Sequence, residues 1–294
     1  MNPNIKRFNK LLINIGLRLD KLEKSDIVRG IDAAKLRYNE KERLYRLLED
    51  LKRFAIEAGL LPRMQGIIHA LEKRIERLPR GPHFPTVREA QSLLEYPNLG
   101  ILAAEERPRS EHEPPEVARL VVTNSTGIIL FDHILPSLQT PSLLFACQQN
   151  LGLSASDEEA VSVMTRLWPD LLSVVKGRFI LSEDNLLTQI QLMVTAERFD
   201  LEPPVVIGCS ALDLCHQYLE TPSLAYIQAE ESSLLTDLAS LCEQLGVLLP
   251  GFPRPTVLDR AIGMLHIMQA MAQGVAPVYW PQDAESADYE DIDH

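Results

Sequence analysis

The sequence predicts a mainly α protein, built as two or three small antiparallel helical bundles in tandem. Three observations carry this expectation. Apolar residues recur at three- and four-residue spacing through most of the 294 positions. Helix starts and stops are marked by Ser/Thr caps and by glycines. The segment LQTPSL at 138–143 returns as LETPSL at 219–224, each within a similar order of helices.

Taken in order, Phe8, Leu11, Leu12, Ile15 and Leu19 share a helical stripe. A second stripe runs through Leu44, Leu47, Leu48, Leu51, Phe54 and Ala55 and stops at Gly59, a residue suited to the position after a helix. A third runs through Ile67, Ile68, Leu71 and Ile75, and Thr86 can cap a short helix after it. These make a basic bundle over 1–96. The charged, proline-rich stretch EERPRSEHEPPE marks a linker over 97–116. Two β-branched runs around NSTG then allow a short β-hairpin near 117–132, or one extended run followed by a helix from Ser125 or Thr126. The helical reading fits the order of a bundle over 117–204. Thr140–Pro141, Ser156 and Ser182 read as helix starts, and Gly152 and Gly177 as stops. A third, smaller unit over 205–274 has helix starts at Thr221–Pro222 and Thr256 and stops at Gly246 and Gly274. An acidic tail occupies 275–294.

Charge is unevenly placed. Residues 1–81 hold 19 Lys+Arg and 11 Asp+Glu, a net of +8, so the remaining residues carry −20 of the total −12. A basic head on an acidic body suits docking between like modules or self-association, with Arg43, Arg46, Lys52 and Arg53 in the interaction surface, and the same residues offer nucleic-acid binding as the alternative. A solvated amphipathic helix face is the competing reading of those four residues. No apolar run approaches the roughly 20 residues of a membrane span, and the N-terminal stretch does not read as a secretory leader. Four scattered cysteines suit a reducing, cytoplasmic setting.

The search for chemistry returns little. The chain has no phosphate-loop, dinucleotide, zinc-protease or nucleophile-elbow motif. Cys209, Cys215 and His216 cluster in IGCSALDLCHQ, but their spacing fits no zinc pattern, and buried inert thiols explain them better than a metal site. Cys242 and His266 lack a third group to orient them as nucleophile and base. The Met-rich helix GMLHIMQAMAQ is either an adaptable binding face or plain core. The expectation is a non-enzymatic protein without cofactor or metal.

The stretch LLSVVKGRFILSEDNLLTQIQLMVTAERFDL, with Arg198-Phe199-Asp200-Leu201 at its end, resembles the fourth and fifth helices of a death effector domain. LLINIGLRLDKLEKSD is similar to that family's first helix and the turn after it. The head departs from the pattern at Arg77-Leu78-Pro79, and the third unit has no Arg-x-Asp-Leu. The resemblance implies six-helix bundles that bind similar modules homotypically in signalling of the apoptotic or immune type, without catalysis. It also implies that Arg198, Asp200 and Leu201 belong to a docking surface. A helix cap ending at Asp200 is the alternative reading of the same residues.

Overall fold

The head is helical for the reason its sequence gives. In the computed structural model, which describes residues 3–23, 31–76, 82–108, 115–149, 152–219 and 237–276, the chain divides into two units, residues 1–87 with 273–276 and residues 88–272. The first contains α1 (Pro3–Glu23), α2 (Ile31–Glu57) and α3 (Leu61–Glu76). One stripe from each meets in a common seam: Phe8, Ile15 and Leu19; Leu44, Leu48, Leu51 and Ala55; Ile68, Leu71 and Ile75. Each buried Leu or Ile contributes roughly 1.5–3 kcal/mol, against at most about 1 for an exposed ion pair. The seam therefore holds the bundle, and ion pairs such as Arg74–Asp20 at 2.8 Å trim its edges. Gly59, at φ +67°, ends α2 as expected.

A fourth helix, α4 (Phe84–Leu94), crosses the boundary between the units. It starts two residues before the expected cap. Thr86 lies inside it and is bonded to His83 Nδ1 at 2.9 Å.

The second unit overturns the mainly α expectation. Its strands β1 (Leu99–Glu106), β2 (Val117–Asn124), β3 (Ile129–Ile134), β4 (Phe179–Ser182) and β5 (Ile207–Ser210) form one mixed sheet in the order β3-β2-β1-β4-β5. β1, β2 and β3 are an antiparallel meander, while β4 runs parallel to β1 and β5 parallel to β4. The helices are α5 (Leu143–Gln148), α6 (Ala155–Val175), α7 (Asn185–Arg198), α8 (Ala211–Tyr218), α9 (Leu238–Gln244) and α10 (Val257–Ala272). This is an α/β unit, and neither 117–204 nor 205–274 is a free-standing helical bundle.

Each departure from expectation has a local cause. β1, over Leu99–Glu106, occupies the first part of the segment read as a linker. Its residues Leu99–Ala103 are buried on both faces, so the strand lacks alternation and sits next to charged residues that masked it. The hairpin reading of NSTG holds, and the helical one fails. Asn124 Oδ1 accepts from the backbone N–H groups of Thr126 and Ile128, both at 2.9 Å, and Gly127 takes φ +80°. That turn chemistry favours β3 over a helix. FILS, which falls between the expected stop at Gly177 and the expected start at Ser182, is β4, and Ser182 is its last residue. Asp184 caps α7 instead. Likewise Ser154, not Ser156, caps α6. Thr140 caps nothing, and its hydroxyl is buried without a partner. The second TPSL copy and the tail from 277 lie outside the described residues.

One face of the sheet packs on α6 and α7. Leu102, Leu120, Val122, Phe131 and Ile180 meet Met164, Trp168, Leu171, Leu192 and Ala196. On the other face α10 lies against β1 and β2 and packs with α8 and α9. The Met-rich helix is therefore core: Met264, Met268 and Met271 are fully buried. Gly208 is required where β5 approaches β4, because a Cβ there would lie 1.7 Å from Ile180 O. Among the described residues no helix is long and apolar enough to cross a membrane.

Candidate functional site

In sheets with parallel strands, ligands favour the carboxyl ends of those strands. Here that end is closed. Arg260, in the first turn of α10, donates Nε to Glu183 at 3.1 Å and Nη1 to Ala104 O at 3.0 Å, and its Nη2 also pairs with Glu183. Glu183 follows β4 and Ala104 lies in β1, so one guanidinium ties together the two strands between which a crevice would open. Ser210 Oγ bonds Glu183 O at 2.9 Å and caps α8. The helix starts are occupied as well. Asp184 and Asp237 cap α7 and α9, and Thr256 with Asp259 forms a reciprocal cap on α10.

The sequence-nominated groups do not assemble a reactive centre. Burial pushes the Cys209 thiol up to about 12, with the charges of Glu89 and Asp213 adding to the effect. Cys215 is fully buried and pushed higher still, with Cys242 beside it. Burial also raises Cys242, to about 11. All three stay protonated at neutral pH, and the thiolate is the nucleophile and the metal ligand. Burial lowers His216, which is neutral at pH 7. His266 Nδ1 faces Leu248 O at 3.2 Å. Among the described residues no group of three or more His, Cys, Asp or Glu is placed to hold a metal ion.

Arg198, Asp200 and Leu201 each have a task inside the fold. Arg198 closes α7 and turns inward. Its Nη1 pairs with Glu116, its Nη2 donates to Leu138 O at 2.8 Å and Thr140 O at 2.9 Å, and its Nε donates to Pro141 O at 3.1 Å. Glu116 is 4% exposed and also faces Arg107 Nε at 3.7 Å. The arginine thus fixes the 138–141 loop, where the first TPSL segment lies, to the start of β2. Asp200 takes φ +54°, and the bonds Leu201 N→Ala196 O (3.0 Å) and Asp200 N→Glu197 O (3.2 Å) are those of a left-handed helix cap. Leu201 packs against the α6–α7 core.

The basic residues of α2 are spread around the helix. At 100° per residue, Arg46 and Arg53 lie opposite the Leu44–Leu48–Leu51 stripe, while Arg43 and Lys52 flank it on opposite sides. Each has an acidic neighbour: Arg43–Glu40, Arg46–Glu42, Arg53–Asp50, and Lys52 with Glu49 and Glu72 at 2.8 Å. A hollow of about 490 Å³ between α2 and α3 is lined by Lys52, Gln65, His69 and Glu72, with Leu61 and Ile68 at its floor. The four cations are not gathered on one face.

What the sequence did not single out is the free edge of the sheet. β5 pairs with β4 on one side and, among the described residues, with no strand on the other. Ile207 is 66% exposed and Val205, two residues earlier, 79%. Ile207 stands opposite Phe179 in register, and the Tyr96 ring meets Phe179 edge-on at 6.4 Å between centroids. An apolar strip of Tyr96, Phe179, Ile207 and Val205 thus runs beside unpaired backbone. Just upstream, Gln189 bonds Pro204 O at 3.0 Å and Val206 N at 3.2 Å, which fixes the entry to β5. The run VVIG with its glycine was the available signal, but four residues are too few to show a period. No family model matches the chain, and no curated protein matches it.

Proposed function

We propose that the chain is a non-enzymatic, cytoplasmic protein-interaction module of adaptor type, which docks a protein partner on the β5 edge of its α/β unit. One observation carries the reading: an unpaired strand edge and the exposed apolar side chains of Tyr96, Val205 and Ile207 occur together, beside half-buried Phe179. An edge of this kind templates strand addition, with backbone bonds giving affinity and side chains giving choice. The raised thiols and the Arg260–Glu183 closure support a role without catalysis, and four free cysteines support a reducing compartment. Docking between death-fold bundles is not part of this reading, because the second unit is not such a bundle.

The test is a quantitative affinity enrichment with the full chain, wild type against Val205→Asp with Ile207→Asp. Both positions are exposed, so the variant retains its fold, as circular dichroism checks. The reading expects a defined set of proteins, or the chain itself, to be lost with the variant. Identical sets from the two proteins refute it.

A further inference from the structure

The occupant of this edge can be named by its chemistry. Resting on the reading above, we propose that β5 accepts an extended basic segment of a different protein, with Lys or Arg alternating with aliphatic residues.

Charge selects it. Glu89 and Asp213 both act electrostatically on Cys209 in β5. Glu95 adjoins Tyr96, and Glu202 precedes Val205 by three residues; all four acids are exposed. Arg178, beside Phe179, is half-buried and directs its Nε to Val174 O at 2.8 Å, and Arg88, beside Glu89, donates to Gln91 Oε1 at 3.0 Å. The unit's share of the sequence is strongly acidic, since residues 82–294 carry 10 Lys+Arg against 30 Asp+Glu. A second copy pairing β5 to β5 would bring these acids together, and like charges facing across strands destabilise. The chain's own basic residues do not supply the strand either, because the described parts of 1–81 are helical. A basic partner satisfies the acids, and its alternate residues meet the apolar strip.

Period-two alternation makes the match specific. Ile207 and Cys209 share one face of the edge, the face on which Phe179 lies against Tyr96, and exposed Val205 precedes them. An added strand with aliphatic residues at every second position covers that strip. Its lysines alternate to the other face and meet the acids through the local field, set by Glu89 and Asp213, more than by direct pairing. Four residues of β5 offer a short ladder, so side chains and charge carry much of the affinity. Such binding weakens with salt.

The probe is the synthetic peptide acetyl-Lys-Val-Lys-Ile-Lys-Val-Lys-amide, titrated into the full chain. Anisotropy follows binding, and hydrogen–deuterium exchange locates it. The controls are the same peptide with Glu for every Lys, and one with Pro for the central Ile. The expected result is slowed exchange over 205–210 with the basic peptide alone, and affinity lowered about tenfold or more in Val205→Ser with Ile207→Ser, as loss of two buried apolar contacts requires. Equal binding of the acidic peptide, protection elsewhere on the chain, or undiminished affinity in the double variant overturns the proposal. If no basic peptide binds while the enrichment above still depends on Val205 and Ile207, the partner class is wrong and the docking edge stands.

Discussion

Arg198→Ala tests whether the end of α7 is an internal clamp. The substitution removes four hydrogen bonds, to Glu116 and to the carbonyls of Leu138, Thr140 and Pro141. It leaves the Glu116 carboxylate, 4% exposed, with Arg107 at 3.7 Å as its remaining cation. Breaking a buried pair from one side costs about 3–5 kcal/mol, since the stranded charge stays desolvated. With the Arg198 side chain 21% exposed and Arg107 nearby, the lower half of that range, about 3 kcal/mol, is expected. Urea unfolding followed by far-ultraviolet circular dichroism reads it as a lower midpoint at unchanged slope. Adding Glu116→Gln to Arg198→Ala should recover part of the loss, because the stranded charge is then gone. A single variant that loses less than about 1 kcal/mol, the scale of an exposed pair, would show that Arg198 is a surface residue and refute the clamp.

Two further outcomes follow from the sheet and its thiols. Gly208→Ala places a Cβ 1.7 Å from Ile180 O, so β5 must separate from β4; unfolding should show a loss of about 2–3 kcal/mol, and exchange over 205–210 should quicken. Folded-state burial holds Cys209 near 12 and Cys242 near 11 against a reference of 9.0. The unfolded chain therefore releases these protons first. The stability the thiols contribute is complete below pH 9 and falls as pH rises towards 11–12, by up to about 1.4 kcal/mol per pH unit for each thiol. Cys242→Ala should flatten this alkaline slope in a pH series of unfolding curves; an unchanged slope would show that the thiol is not held protonated.

How much of this could be read from the sequence depends on the length of each element. α1, α2 and α3 run for four turns or more and repeat their apolar stripe often enough to be unmistakable. The positive-φ glycines at 59, 177, 246 and 274 mark the stops of α2, α6, α9 and α10, a local backbone demand that one residue reveals. β4 and β5 have four residues each and gain meaning only from partners far along the chain. FILS beside SEDN looks like a connection between two helices until β1 is placed next to it. Arg198-Phe199-Asp200-Leu201 shows the same limit at a site. The residues do close a helix, as the pattern implied, but the arginine's partners at 116 and 138–141 are visible only once the chain is folded. The β5 edge was least legible, because exposure of Val205 and Ile207 follows from the order of strands, not from their own letters.

The sheet order also has a consequence for synthesis on the ribosome. β1 can zip to β2 across a short connection as soon as both have emerged. Its other margin must wait for β4, which lies beyond the 72 residues 107–178. For that interval Leu99, Ile101 and Leu102 stand on a half-finished sheet whose open side attracts neighbouring nascent chains. The three-helix unit, whose contacts are local, has no comparable wait. Growth temperature and translation rate should therefore alter the yield of the α/β half far more than that of the helical one.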